Sequence, residues 1–234
     1  MKSVHRAFSY SVPKNGREES ENEDQVGYDE AAGRFAVADG ASTAARSEVW
    51  ARILVESFLS DGTDPSATNV LPLLRKRWET ETAAQATSWV AQEKLRQGSA
   101  AAFVGLSLRD GGYQVIAVGD ACYLHLRNNR VVRFGPVASA AEFTRFPSLV
   151  RTDGGPRSID QRGEYRTGDR FLLVTDALAA FLMRRLERSG PKIRLPRFAK
   201  ADWTGDQQAF AAIIAGYRDE GLANDDTTAC VIRT

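Results

Sequence analysis

The sequence predicts an α+β fold in which antiparallel sheets stack and helices lie outside them. Two tight-turn signatures, Asp110-Gly111-Gly112 and Asn128-Asn129, each join apolar segments, and Gly and Asn tolerate the positive φ that such connections need. Hairpins link antiparallel neighbours. On both sides of this strand-rich middle, apolar residues recur at helical spacing, and a length of 234 residues suits one large core better than two small ones. Residues 1–234 are therefore expected to form a single α+β domain, with alternating parallel βαβ units as the weaker alternative.

The elements follow in order. Val4 to Val12 reads as a strand with Phe8 and Tyr10 on one face, and the polar stretch Pro13 to Asn22 as a loop before Asp24-Gln25-Val26-Gly27-Tyr28. Phe35 to Ala38 is a short apolar strand that stops at Asp39-Gly40. From Ala44 the period becomes helical: Trp50, Ile53, Leu54, Ser57 and Phe58 form one stripe, ended by Ser60-Asp61-Gly62. A second helical region is expected from about Ala67 to Gln97, with Leu71, Leu74, Trp78, Ala86 and Trp89 facing the core and Gly98 ending it; it stacks with the first in one layer. Ala100 to Leu108, Tyr113 to Val118, Ala121 to Arg127, Val131 to Phe134 and Arg170 to Thr175 read as strands. Ala177 to Glu187 and Gln207 to Arg218 are amphipathic helices, and Thr227 to Ile232 is a closing strand.

Composition excludes several classes. With 31 Lys+Arg against 30 Asp+Glu the formal charge is +1, without the positive field that recognises nucleic acid or an anionic membrane. The longest apolar run, Ala177 to Met183, is far short of the ~20 residues that cross a bilayer, and no signal-peptide core follows Met1-Lys2-Ser3. A cytoplasmic monomer is expected. Cys122 and Cys230 lie in apolar segments and read as buried thiols, and with only His5 and His125 there are too few ligands for a zinc cage.

The carboxylates are more informative. Asp39 follows Phe35-Ala36-Val37-Ala38, Asp120 follows Val115 to Gly119, Asp176 follows Phe171 to Thr175, and Asp225 stands just before Thr227 to Val231. Any one of them, at the mouth of a strand, is readily a turn former or helix cap, and Asp176 before Ala177-Leu178 is an N-cap candidate. Together with Glu23-Asp24 they would converge on one edge if their strands share a sheet. Like charges so placed repel unless hard divalent cations with oxygen ligands sit among them.

Asn22-Glu23-Asp24, Phe35-Ala36-Val37-Ala38-Asp39-Gly40, Ala117-Val118-Gly119-Asp120, Leu172-Leu173-Val174-Thr175-Asp176 and Asn224-Asp225-Asp226-Thr227-Thr228 occur in the order and approximate spacing of the metal-dependent protein phosphatases. The chain resembles this type 2C serine/threonine phosphatase family from about residue 4 to its end. The resemblance implies a four-layer αββα sandwich of two mainly antiparallel sheets flanked by helices, with two Mn²⁺ or Mg²⁺ ions at one end. On the matching positions Asp39 would bridge both ions, and the Gly40 carbonyl would bind one. Asp176 and Asp225 would complete the second ion's shell, Asp24, with Glu23 beside it, would face the other, and Asp120 matches the aspartate of a third, weaker ion. Asp39, Asp176 and Asp225 would carry catalysis, in which a hydroxide shared by the ions attacks phosphorus in line and no side-chain nucleophile is needed.

The sequence departs from the family pattern in three places, the first being Ala177, which replaces the usual glycine after Asp176 and is expected to begin a helix. Ala41 replaces the histidine proposed as general acid in some members, and Glu19 falls where a phosphate-binding arginine is usual, leaving Lys14 and Arg17 as substitutes or as solvated loop charges. The basic run Arg184, Arg185, Arg188, Lys192, Arg194, Arg197 and Lys200 either steers an acidic partner or is a solvated helix end; Trp203, in a polar loop, reads as a surface contact. The implied activity is hydrolysis of phosphoserine and phosphothreonine in a phosphorylated protein, the counterpart of a serine/threonine kinase. A phosphatase-like binding module and a phosphoesterase acting on a small molecule are the alternatives.

Overall fold

A computed structural model describes residues 5–83, 89–144, 146–190 and 195–234. One sheet has five antiparallel strands in the order β1 (Arg6–Val12), β11 (Thr227–Arg233), β10 (Arg170–Val174), β6 (Cys122–Arg127) and β7 (Arg130–Gly135). The other runs β2 (Asp24–Asp29), β3 (Arg34–Gly40), β4 (Ala100–Arg109), β5 (Gly112–Val118) and β9 (Ile159–Glu164), with the short β8 (Val150–Arg151) also on β4. Both expected hairpins are present, β4–β5 and β6–β7.

Period-two alternation builds three cores between four layers. Phe171 and Leu173 of β10 meet Phe35 and Val37 of β3 between the sheets. The alternate residues of β10, Leu172 and Val174, pack under α4 (Asp176–Ser189) and α5 (Gln207–Asp219). On the opposite outer face Ala36, Ala38 and Phe103 meet Trp50, Ile53, Leu54 and Phe58 of α1 (Ser47–Asp61). Helix α2 (Leu71–Thr82), with Pro72 in its first turn, lies beside α1 and is tied to it by Arg52 and Arg77, each pairing with both Glu56 and Glu81.

Several expectations are corrected. The second helical region is two helices, α2 and α3 (Trp89–Arg96); residues 84–88, including Ala86, lie outside the described residues, as does Val4. Trp89 is 71% exposed and not a core contact, whereas Trp50 and Trp78 are buried. Strands β2, β8 and β9 were not expected. β9 is an edge strand whose residues, Ile159-Asp160-Gln161-Arg162-Gly163-Glu164, are exposed or half-buried, so burial imposed no alternation on it. In β2 the position under α1 is Gly27, where a Cβ would meet Leu59 and Val55 at 2.8 and 2.9 Å; the helix sits too close for the apolar side chain that would have signalled a strand. Trp203 is not a free surface contact: its indole donates to Tyr10 Oη at 3.0 Å and its ring packs on the core.

Candidate active site

Strand register brings the acidic positions to one end of both sheets. Asp24 and Asp39 are directly opposed across β2 and β3, an arrangement that is unfavourable for two like charges. The same end of the neighbouring sheet carries the close of β10 and the start of β11, followed by Asp176 and preceded by Asp225. Thr175 joins the sheets: its hydroxyl donates to Asp24 Oδ2 at 3.0 Å and accepts from the Thr228 backbone N–H at 3.0 Å. Asp24 Oδ1 is buried and, among the described residues, has no hydrogen-bond partner.

The charges feel one another. Burial raises the Asp39 carboxyl well above the usual range, and Asp24, Asp176, Asp120 and Asp225 add to the rise. Asp24 is raised by burial and then by Asp226, while the neighbouring Thr228 and Thr175 hydroxyls oppose the rise. Asp120 is pushed up to about 7 by burial and by Asp176, and Asp176 is raised by burial and by Asp225. Among the described residues no three acidic, imidazole or thiol groups close into a ready-made cage around one point. Even so, a buried carboxylate oxygen without a donor, within a set of carboxylates that raise one another, fits a hard cation better than any neutral ligand.

Gly40 is required for packing as well. A Cβ there would meet the Glu23 carbonyl oxygen at 2.8 Å and Ser47 at 2.9 Å, so the start of α1 can rest against the end of β3 only above a glycine. Ala177, in place of a glycine after Asp176, lies in the first turn of α4 as expected.

The two candidate phosphate ligands separate. Lys14 Nζ lies 3.5 Å from Glu23 Oε2, 3.7 Å from Asp225 Oδ1 and 3.2 Å from Ser42 Oγ. Burial lowers its pKa, but Asp226, Asp225 and Glu23 outweigh that and hold it above the ordinary lysine value. Arg17 is exposed and paired with Glu21. Of the basic run, Arg184 donates to the Gly221 carbonyl, Arg185 packs on Phe181 and Tyr217, and Arg197 sits over Trp203; Lys192 and Arg194 lie outside the described residues. Helix α4 places the start of this run about 12–18 Å from Asp176, at a rise of roughly 1.5 Å per residue.

Sequence reasoning passed over Asp226 and Arg218. Asp226 Oδ1 accepts from the Lys14 backbone N–H and its Oδ2 from that of Glu23, both at 2.9 Å, and so staples the loop before β2 to the start of β11. Arg218 of α5 donates to the carbonyls of Pro13 and Asp225 at 2.9 Å. An Asp-Asp pair beside a strand was a visible signal, but both acids read alike until the fold assigned them different partners. Asp226→Ala removes two charge-assisted bonds. It is expected to cost about 2–3 kcal/mol, read in a thermal melt as a Tm lower by about 4–12 °C.

The family model described as Protein phosphatase 2C matches residues 13–205. No curated protein matches the chain. Among solved structures, the serine/threonine phosphatase PstP/Ppp of Mycobacterium tuberculosis is 18% identical with a TM-score of 0.63, covering 99% of each chain. PppA, described as a key regulatory component of T6SS in Pseudomonas aeruginosa, is 18% identical with a TM-score of 0.62, covering 99% of this chain and 98% of its own. The catalytic domain of PstP in complex with two manganese ions is 17% identical with a TM-score of 0.59, covering 98% of each chain. At these identities the structures establish the shared fold.

Proposed function

The chain belongs to the protein phosphatase 2C family, and from that premise we propose that it hydrolyses phosphoserine and phosphothreonine in proteins with the help of two Mn²⁺ or Mg²⁺ ions. The observation that carries this reading is the convergence of Asp24, Asp39, Asp120, Asp176 and Asp225 on one end of the sheets, with Asp24 Oδ1 left without a donor. Asp39, the Gly40 carbonyl, Asp24, Asp176 and Asp225 are the groups proposed to hold the ions, with Asp120 available to a third. The manganese ions in PstP support the choice of metal. When bound, such ions acidify water and neutralise phosphoryl oxygens.

The chain's own residues do the rest. Lys14, beside Glu23, Asp225 and Ser42, meets the phosphate dianion at the edge of the acidic cluster. Cys122 is buried and its thiol is held against the Asp120 carbonyl, with burial pushing its pKa up, so it does not serve as a nucleophile. Neither histidine reaches the acidic cluster. His125 is three residues along β6 from the site end, about 10 Å away, and His5 precedes β1, whose seven residues put about 23 Å between it and that end. Imidazole does not protonate the leaving alkoxide. Among the described residues no helix is long and apolar enough to cross a membrane.

The test is phosphate release from phosphoserine and phosphothreonine peptides by the purified chain, with Mn²⁺ and with a chelator, beside small phosphomonoesters. Metal-dependent release favouring the peptides is expected. Release from small esters alone would move the assignment to a small-molecule phosphoesterase, and tight Mn²⁺ binding without any release would leave a binding module.

A further inference from the structure

We propose that Glu23, although adjacent to Asp24, is a positioning residue for phosphate and not a metal ligand: its carboxylate clamps the loop after Gly40 to the loop carrying Lys14 and so aims the Lys14 ammonium at an incoming phosphomonoester dianion. The inference rests on the phosphatase reading above. Every polar atom of Glu23 is engaged within the protein. Oε1 accepts from Ser47 Oγ at 2.6 Å, and Oε2 from Ser42 Oγ at 2.5 Å and Lys14 Nζ at 3.5 Å. The backbone N–H donates to Asp226 Oδ2, and the carbonyl accepts from the Gly40 N–H at 3.3 Å.

Glu23 and its neighbour differ in what their oxygens face. Asp24 has a buried oxygen with no donor, whereas Glu23 would have to surrender hydroxyl and ammonium hydrogen bonds to take an ion. Ser42 completes the device, accepting from Lys14 Nζ at 3.2 Å while donating to Glu23. Lys14, Glu23 and Ser42 line a cleft of about 310 Å³. The other basic side chain on that lining, Arg17, is turned to Glu21. An ammonium is a point charge without the fixed fork of a guanidinium, so it needs outside partners to define its direction, and the Glu23–Ser42 pair supplies them.

Two binding measurements test this without turnover. In calorimetric titration with Mn²⁺, Glu23→Gln is expected to keep the stoichiometry and an affinity within about threefold of the parent, while Asp24→Asn loses at least about tenfold. In titration of the Mg²⁺-loaded protein with inorganic phosphate, Glu23→Gln and Lys14→Gln are each expected to weaken binding about tenfold, and the double variant no further than Lys14→Gln alone, because Glu23 acts through Lys14. Ser42→Ala, at an exposed position that does not threaten folding, is expected to weaken phosphate by about threefold with Mn²⁺ unchanged. Loss of Mn²⁺ in Glu23→Gln to the extent seen in Asp24→Asn, or additive losses of phosphate in the double variant, would overturn the assignment. A parent chain that binds Mn²⁺ and phosphate in this pattern but releases no phosphate from peptides refutes the proposed activity and leaves the assignment of Glu23 standing.

Discussion

Asp39→Asn is expected to reduce Mn²⁺-dependent phosphate release by more than about a hundredfold while making the metal-free protein more stable. The activity arm follows from position. Asp39 stands opposite Asp24, and its carboxyl also feels Asp176, Asp120 and Asp225, so its loss removes the group shared by the whole cluster. Residues that merely support a ligand already account for 10- to 100-fold, roughly, when removed. The stability arm follows from repulsion. Like charges opposed at close range are destabilising, and relief of about 2 kcal/mol raises Tm by about 4–8 °C in a chain of this size. The pH dependence fixes the sign. Asp24, Asp39, Asp120 and Asp176 all have folded-state values raised above the unfolded ones, so in chelator the folded state binds more protons. Their contribution is fully present below the unfolded value of 3.8 and is lost as pH rises through the folded values, about 7 for Asp120. Melts in chelator at pH 5 and pH 8 check this: the parent falls with rising pH, and Asp39→Asn falls less. An Asp39→Asn protein that melts below the parent at both pH values would refute the repulsion account.

Asp39, Asp120, Asp176 and Asp225 were legible in the sequence because each stands beside a strongly apolar strand whose end locates it, whereas Asp24 opens β2, which has no such run, and was picked out only as part of the Asn22-Glu23-Asp24 motif. Lys14 and Arg17 were equally visible, yet nothing local distinguishes two cations in one polar loop; long-range contacts with Asp225 and Ser42 decide between them. The same holds for Asp225 and Asp226, adjacent in the chain but different in role: Asp226 faces two backbone donors across the fold. For the fold, continuous apolar runs revealed the strands that bury both faces, such as β10, and no such run marks β9, an edge strand, or β2, where glycine sits under a helix. Trp89 misled because helical spacing reports a stripe but not whether another layer covers it.

The opposite end of the sheets carries the second large expected effect. Asp169, just before β10, accepts from Arg127 Nε and Nη2 at 2.9 and 2.6 Å, from the Arg166 backbone N–H at 3.0 Å, and lies 2.8 Å from His125 Nε2. His125 in turn stacks on Phe171, with ring centroids 4.5 Å apart, inside the core between the sheets. Burial alone would raise the Asp169 carboxyl, but Arg127, the Arg166 N–H and His125 outweigh it and hold the value at about 2. Asp169 is buried but Arg127 is partly exposed and stays solvated when its partner is lost, so the cost is that of the charge-assisted bonds removed: Asp169→Ala is expected to cost about 3 kcal/mol, or about 6–12 °C in Tm. Because Asp169 and Asp176 are separated by about 20 Å of strand, kcat should be retained below the melting range. Here the pH sign is opposite to that at the acidic end. The folded value lies below the unfolded 3.8, so the stabilisation is present above 3.8 and is lost as pH falls through about 2. His125, whose pKa burial lowers against the pull of Asp169, adds stability that is present above 6.5 and declines as pH falls below it. Urea unfolding of parent and Asp169→Ala at pH 7 and pH 3 should therefore give a smaller difference at pH 3. An undiminished difference there would mean that lost packing, not the ion pair, sets the cost, since side-chain packing at this position does not titrate.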